Sequence, residues 1–196
     1  MSEPLHRTLA PLLQALLAAL GPELEGPVAF FGHSLGALLA FELVRELRRR
    51  GLPLPQVLFV AARGAPHVRF EPLNAQRLAD HELLAVVQQR YASIPDEIAR
   101  DPELLRVAFQ PLRADLEIHD AYVYRPEPPL TCPILALGGA RDPMVTRDGL
   151  EAWREHTTAR FATHVLSGSH YFHQEQEASV LRIISSELEL RRERTA

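Results

Sequence analysis

Four short apolar segments divide the chain, and each is bounded by glycine, proline or polar residues. They read VAFF, VLFVAA, PILALGG and FATHVLS, and they span residues 28–31, 57–62, 133–139 and 161–167. The first segment does not alternate between apolar and polar positions, which is typical of a strand buried on both faces of a parallel sheet. We therefore predict four strands in one buried sheet.

Helical patterns separate and follow these strands. Apolar positions at helical spacing predict a helix from about Ser34 to Arg50, and Gly51 is well placed to end it with a positive φ. The alternation of strand and helix along the chain predicts an α/β fold. Its sheet should be mostly parallel, because right-handed crossovers connect successive strands in such folds.

The first twenty residues contain leucines at helical spacing, at positions 5, 9, 12, 13, 16, 17 and 20. The apolar stretch resembles the core of a signal peptide, but Pro11 and Gln14 interrupt it. In addition, the acidic Glu3 lies where a signal peptide has a basic N-terminal segment. We predict an amphipathic helix here, followed by a connecting loop from Gly21 to Pro27. No apolar segment reaches the length needed to span a bilayer.

The connection between the second and third strands is far longer than the others, at about seventy residues. Helical patterns occur within it near Asp80 to Tyr91, Asp101 to Leu112 and Arg113 to Tyr122. A long insertion with its own helices is commonly a lid over a binding site. A helical insertion that packs on the domain and has no role in binding explains the pattern equally well.

Composition places the chain among ordinary globular domains. Its 196 residues suit a single domain with one core, and a net charge of −4 gives no electrostatic reason to expect nucleic acid. Arginines at 48–50, 191, 192 and 194 are interpreted as solvated charges at helix ends. The single cysteine, Cys132, excludes an internal disulfide framework and a cysteine-clustered metal site, and it fits a reducing cytoplasm.

The segment GHSLG at residues 32–36 matches G-x-S-x-G between an apolar strand and a helix. This pattern forces a turn so sharp that Ser34 takes a strained conformation, and Gly32 and Gly36 remove Cβ atoms that would collide. The hydroxyl is then presented above the sheet. The backbone N–H of Leu35, at the helix start, points to the place where an oxyanion would form. We predict Ser34 as a nucleophile and Leu35 as an oxyanion donor.

A serine nucleophile needs a base, and in this architecture an acid and then a histidine follow the serine along the chain. Each partner should lie on a loop that leaves the carboxyl end of a strand. Asp142, directly after the third strand, is the acid that meets this demand. Asp148 is the next candidate, but its position favours a role as the cap of a following helix.

His170 is the histidine in the loop after the fourth strand. His173 is a minor rival, whereas His164 lies within that strand and His156 within the preceding helix. His33 precedes the serine and cannot easily fold back onto it, so we expect it to make a structural hydrogen bond.

We assign Ser34 as nucleophile and His170 as base and then acid. Asp142 orients the imidazole and stabilises the imidazolium.

Several blocks in a fixed order carry a family resemblance. They are FFGHSLGALLAFELVRELRRRG, VLFVAARGAPH, LRADLEIHDAYVYRPEPPLTCPILALGGARDPMV, LEAWREHT and VLSGSHYFH. Together they cover nearly the whole chain, and they resemble the type II thioesterases of polyketide and nonribosomal peptide biosynthesis.

The resemblance implies an α/β-hydrolase fold with a helical lid at about residues 67–125, all within one domain. Ser34, Asp142 and His170 match the catalytic triad of the family. The implied reaction is hydrolysis of acyl thioesters on the phosphopantetheine arm of an acyl or peptidyl carrier domain, as an editing step in antibiotic biosynthesis. The resemblance implies that no metal or soluble cofactor is needed. From charge, hydropathy and cysteine content we expect no nucleic-acid or membrane partner and a cytoplasmic location.

Members of this family normally have several strands and a glycine-containing loop ahead of the first helix found here, and that loop supplies a second oxyanion N–H. The chain departs from the pattern by lacking these N-terminal strands. We therefore expect the strand at 28–31 to have an unpaired edge, with poor solubility or self-association unless the first helix covers it. Loss of one oxyanion donor should lower turnover about a hundredfold to a thousandfold.

Two other functions remain open at this point. A small-molecule carboxylesterase would use the same triad, because the fold does not fix the leaving group. A catalytically impaired remnant would at most bind a carrier domain.

Overall fold

In the computed structural model, which describes residues 5–91, 94 and 96–195, the four predicted strands form one sheet. They are β1 (Ala29–His33), β2 (Val57–Ala61), β3 (Ile134–Gly139) and β4 (Phe161–Leu166). Neighbouring strands all run parallel, in the order β1-β2-β3-β4. The predicted parallel sheet is confirmed, and the carboxyl ends of the four strands meet at one edge.

The α-helices precede, separate and follow these strands along the chain. In chain order they are α1 (Leu9–Leu20), α2 (Leu35–Arg49), α3 (Asp80–Tyr91), α4 (Asp96–Arg100), α5 (Pro102–Ala121), α6 (Arg147–Glu151), α7 (Phe172–Glu175) and α8 (Glu177–Thr195). Gly51 follows α2 with φ of 66°, as predicted. Over the residues described, no helix is at once long and apolar enough to cross a bilayer.

Internal contacts divide the chain into two compact units. The sheet unit comprises Leu17–Val68 with the chain from Arg125 onwards, and it contains all four strands. The helical unit comprises Arg69–Tyr124 with the start of the chain up to Leu16, so that most of the long predicted insertion belongs to it.

The sheet unit buries both faces of its two central strands. Val57, Phe59 and Ala61 pack in one core cluster with Val180 of α8. Side chains alternate along a strand, so Leu58 and Val60 point to the opposite face. They are also fully buried, which shows that both faces of β2 are covered, as predicted for a central parallel strand.

The two outer strands are less buried than predicted. Phe31 of β1 is 40% exposed, and β4 is only partly buried along most of its length. Among the described residues β1 has β2 as its one strand neighbour, so its other edge is unpaired, as expected. Phe31 also borders a groove of about 510 Å³, whose other walls include Val180, Leu181 and Ile184 of α8.

Cys132, two residues before β3, is buried, with 5% of its surface exposed. Burial raises the pKa of its thiol to about 11.

The helical unit has a separate apolar core. Its buried residues are Leu73, Ala75, Leu83, Val87, Leu105, Phe109 and Leu116. Asp120, near the end of α5, accepts hydrogen bonds from the backbone N–H groups of Leu73 (2.8 Å) and Ala75 (3.3 Å). These bonds attach the start of the 3-10 helix Ala75–Arg77 to α5.

Two of the predicted helices proved to be one. α5 runs continuously through Pro111, where separate helices at Asp101 to Leu112 and Arg113 to Tyr122 had been predicted. Proline removes one hydrogen bond of the helical ladder and normally marks an end or a kink. Here Phe109 and Leu116, on either side of Pro111, are buried in the same core, and this shared packing keeps the helix continuous.

The connection predicted as a loop from Gly21 to Pro27 is also more regular than expected, since Gly21–Glu25 forms a 3-10 helix.

A partly buried ion-pair network ties α2 to the segment that leads into β3. Arg45, which is 2% exposed, contacts Glu42 and Glu127, each at 2.6 Å. Arg48 contacts the other Glu127 oxygen at 2.6 Å. The interpretation of Arg48 to Arg50 as solvated end charges is therefore wrong for Arg48 and Arg49, because both guanidinium groups are held by the Glu127 carboxylate from a distant part of the chain.

This network predicts a loss of stability in acid. Burial alone would raise the pKa of Glu127, but hydrogen bonds from Arg49, Arg45 and Arg48 outweigh it and lower the pKa from 4.5 to about 2. Folding therefore favours the charged carboxylate, and this stabilisation is complete above pH 4.5 and is lost as the pH falls towards 2. We expect Glu127→Gln to lower the free energy of unfolding at pH 7 by about 1 to 2 kcal/mol after allowance for solvent screening.

Urea unfolding at a series of pH values measures this effect. The difference between Glu127→Gln and the parent should shrink as the pH approaches 2. Glu189→Gln, at an exposed position of α8, is the matched control and should change stability by less than about 0.5 kcal/mol. A deficit of Glu127→Gln that stays constant with pH would contradict the expectation.

Candidate active site

The backbone between β1 and α2 turns sharply at Ser34. Its φ of 54° and ψ of −116° lie outside the regions that L-residues favour, as predicted for a strained serine. Its N–H donates to the carbonyl of Ala61 at 2.8 Å, which continues the pairing of β1 with β2 up to the turn. The serine therefore lies at the carboxyl edge of the sheet, held by hydrogen bonding on the side of β2.

The two glycines of the motif differ in role. A Cβ on Gly32 would lie 2.2 Å from the carbonyl oxygen of Gly36 and 2.6 Å from Cα of Ala37, so only glycine fits where β1 passes the first turn of α2. A Cβ on Gly36 would meet nothing within 4 Å. The expectation that both glycines avoid a collision is confirmed for Gly32 and wrong for Gly36.

Asp142 and His170 lie in loops after β3 and β4, and the structure joins them directly. His170 Nδ1 is 2.9 Å from Asp142 Oδ2, and both side chains are almost fully buried, with 5% and 0% exposed. A carboxylate oxygen only accepts, so Nδ1 carries the hydrogen of this bond. In the neutral ring Nε2 is then the nitrogen that can take up a proton.

The second oxygen of the aspartate is also used. Asp142 Oδ1 accepts a hydrogen bond from the N–H of Met144 at 2.9 Å, and the N–H of Asp142 itself donates to the carbonyl of Gly139 at 3.1 Å. Both carboxylate oxygens therefore have donors, which fixes the acid in the orientation that faces His170.

The loop that presents His170 is held by groups that the sequence reasoning missed. Glu175 accepts hydrogen bonds from the N–H of Ser169 at 3.1 Å and from its hydroxyl, and these bonds lower the pKa of the Glu175 carboxyl. A Cβ on Gly139 would lie 2.2 Å from the carbonyl oxygen of Ser169, so glycine at the end of β3 lets the loop approach. In the sequence, the consecutive glycines at the end of PILALGG were the feature that could have indicated this close approach.

The rejected candidates lie elsewhere or serve other contacts. Asp148 lies in the first turn of α6, but the cap is Thr146, whose hydroxyl accepts from the N–H of Gly149 at 3.0 Å, so the capping role predicted for Asp148 is wrong. His164 lies within β4, as predicted. His156 lies in the 3-10 helix Ala152–His156, and its Nε2 is 2.8 Å from Nδ1 of His67.

Two further histidines lie near His170. His33 Nε2 is 2.8 Å from the backbone oxygen of His170, so the structural hydrogen bond predicted for His33 is confirmed. The ring centroid of His173, in α7, is 4.1 Å from that of His33. Burial lowers the pKa of His33 to about 4 and also lowers the pKa of His173. Neither ring is therefore charged at neutral pH.

Of the predicted site residues, the structure joins Asp142 and His170 by a direct hydrogen bond. Ser34 directly follows His33, whose side chain hydrogen-bonds to the backbone oxygen of His170. The hydroxyl–imidazole bond of the triad and the oxyanion role of Leu35 stay predictions. Within the described ranges, no three His, Cys, Asp or Glu side chains are grouped so that they could hold a metal ion.

A strained serine after one parallel strand, with a bonded histidine and aspartate after two others, is the arrangement typical of the α/β-hydrolase fold. Comparison with known proteins agrees with this fold. The family model of the thioesterase domain matches residues 1–188. The chain therefore belongs to the thioesterase domain family.

Individual relatives match over most of the chain. Linear gramicidin dehydrogenase LgrE of Brevibacillus parabrevis is 38% identical over 190 residues, which are 95% of this chain and 72% of LgrE. Thioesterase PikA5 of Streptomyces venezuelae is 37% identical over 188 residues, which are 95% of this chain and 66% of PikA5. This chain thus spans about two thirds to three quarters of the length of these relatives.

Among solved structures, the type II thioesterase BorB from the borrelidin biosynthetic cluster superimposes with a TM-score of 0.81 at 36% identity. The match covers 95% of this chain and 73% of BorB. The α/β-hydrolase fold implied by the sequence resemblance is confirmed by this similarity.

The unequal glycines of the motif give a matched pair of variants. Gly32→Ala forces a methyl group against backbone atoms of α2, and we expect it to cost more than about 2 kcal/mol of stability or to prevent folding. Gly36→Ala places its methyl in open space within a helix, so stability should stay equal or rise by up to about 1 kcal/mol. Urea unfolding of the two purified variants measures this, and equal stabilities would refute the assignment.

Proposed function

We propose that this chain is a serine thioesterase that removes acyl groups from the phosphopantetheine arm of acyl or peptidyl carrier domains. The hydrogen bond from His170 to Asp142, at the same sheet edge as the strained Ser34, is the observation on which the proposal depends. Membership of the thioesterase family supports thioesters as the substrate class.

In the first step of the proposed mechanism, His170 Nε2 takes the proton of the Ser34 hydroxyl while Oγ attacks the thioester carbonyl. The Leu35 N–H stabilises the oxyanion, and the imidazolium is stabilised by Asp142. As the tetrahedral intermediate collapses, the C–S bond breaks and His170 returns the proton to the departing thiolate. The products are the free pantetheine thiol and an acyl ester on Ser34.

The second step returns the enzyme to its starting state. His170 takes a proton from a water molecule, whose oxygen attacks the Ser34 ester. The C–O bond to Ser34 then breaks, the serine recovers its proton from His170, and the carboxylic acid leaves. Nδ1 keeps its bond to Asp142 throughout, so that the ring presents the same nitrogen in both steps.

The wider setting of the proposal rests on similarity. Type II thioesterases such as BorB suggest an editing role beside a polyketide or nonribosomal peptide synthetase, in the cytoplasm. The lid role for residues 67–125 stays a prediction. It is supported by the separate apolar core of the helical unit, which contains most of these residues.

Covalent labelling tests the nucleophile. A fluorophosphonate probe should label the parent chain at Ser34, and Ser34→Ala should abolish labelling. Labelling that persists in Ser34→Ala would overturn the assignment of the nucleophile, and a parent chain that takes up no probe would favour a binding-only remnant.

Asp142→Asn should keep the fold but lower turnover by about ten-thousandfold, because loss of the carboxylate leaves the imidazole in the wrong tautomer.

Matched substrates test the substrate class. We expect faster hydrolysis of an acyl-pantetheine thioester than of the oxygen ester with the same acyl group, measured as kcat/KM. A strong preference for the oxygen ester would replace the thioesterase by a carboxylesterase with the same triad.

A further inference from the structure

The imidazole of His33 joins the strand of the nucleophile to the loop of the base. Its Nε2 lies 2.8 Å from the backbone oxygen of His170, although the two residues are 137 positions apart in the chain. A carbonyl oxygen only accepts a hydrogen bond, so Nε2 of His33 must carry the hydrogen and donate.

The surroundings of His33 keep it in this form. Burial lowers its pKa to about 4, although the bond to the His170 carbonyl acts in the opposite direction. A positive charge on His173 or His170 would lower it further, whereas the carboxylate of Asp142 raises it. The ring is therefore neutral at neutral pH and is a fixed donor rather than a second base.

Other bonds hold the two residues that precede His170 in this loop. The carbonyl of Gly168 accepts from the N–H of Arg141 at 2.8 Å, and the N–H of Ser169 donates to Glu175. The bond from His33 acts on the carbonyl of His170 itself. It therefore orients the peptide unit from which the catalytic imidazole projects.

We propose that His33 is a positioning residue, which sets the distance between Ser34 and the His170 imidazole by holding the His170 carbonyl. His33 precedes Ser34 directly in the chain. A displacement of the turn at Ser34 therefore also moves the His33 side chain that binds the His170 carbonyl. Ser34 and the His170 imidazole, which exchange a proton in the proposed reaction, are thus linked through His33. This inference rests on the proposed function and adds a residue that positions its catalytic base.

The same ring also packs against its neighbours, which defines the competing explanation. Its centroid lies 5.0 Å from that of His170 and 5.6 Å from that of Tyr171, in addition to the contact with His173. If packing were the whole role, an apolar residue of similar size would serve equally well. Donor chemistry and packing must therefore be varied separately.

Three variants separate the two roles. His33→Gln keeps a donor, because the amide nitrogen of glutamine reaches about as far from the backbone as histidine Nε2. His33→Asn keeps a donor of similar polarity that is too short to reach. His33→Leu keeps much of the volume without a donor.

The first measurement is the rate constant for fluorophosphonate labelling of Ser34, together with kcat and KM for an acyl-pantetheine substrate. We expect His33→Leu and His33→Asn to lose about ten- to a hundredfold in kcat and in labelling rate, with KM nearly unchanged, because small displacements of catalytic groups cost rates of this size. His33→Gln should recover most of the loss. Equal rates in all three variants, or a Gln variant as slow as the Leu variant, would overturn the proposal.

The second measurement does not depend on activity. The Nδ1 proton of His170, bonded to Asp142, should give a downfield proton resonance in the Ser34→Ala protein. Adding His33→Gln should preserve that resonance, whereas adding His33→Asn should shift or broaden it. If the parent chain is not labelled at Ser34, the proposed function fails, and an identical resonance in all of these proteins would separately reject the role of His33.

Discussion

The backbone conformation of Ser34 is the constraint on which the rest of the site depends. A non-glycine residue at φ of 54° is strained, and such strain costs about 1 to 3 kcal/mol. The structure offsets this cost on both sides of the turn. The N–H of Ser34 is bonded to Ala61, and the following helix buries Ala37 and Leu38 completely. Relaxing the turn would separate α2 from β1, so the packing of a whole helix keeps one serine in place.

The buried site also avoids an excess of positive charge. During the proposed reaction His170 becomes an imidazolium, and its hydrogen-bond partner Asp142 is fully buried. A second cation beside the ring would disfavour this state. His33 and His173 pack close by, but burial lowers the pKa of each, so both stay neutral. Histidines in this pocket thus supply hydrogen bonds and packing while only one of them takes up a proton.

Much of this arrangement could be predicted from the sequence. The apolar strands, the serine turn, and the acid and histidine after β3 and β4 were recognisable, because each depends on local pattern and chain order. Contacts between distant residues were less accessible. Nothing local to Arg48 indicates that its guanidinium will meet Glu127, and the packing of Phe109 and Leu116 decides whether α5 continues through Pro111.

The wrong predictions for the edge strand β1 and for one glycine of the serine motif have a similar cause. A short apolar run such as residues 28–31 looks the same in the middle of a sheet as at its edge, so the 40% exposure of Phe31 was not predictable from pattern alone. Likewise, the motif contains two glycines, but only the position of α2 relative to β1 shows that Gly32 is the one without room for a side chain.

The buried state of Cys132 has a consequence for the proposed chemistry. Thioesters exchange readily with thiolates, so a reactive cysteine would accept acyl groups in competition with the serine. Cys132 is the single cysteine of the chain, and its raised pKa of about 11 keeps the sulfur protonated at neutral pH. In the proposed reaction, an acyl group on Ser34 would therefore meet no competing thiolate from Cys132.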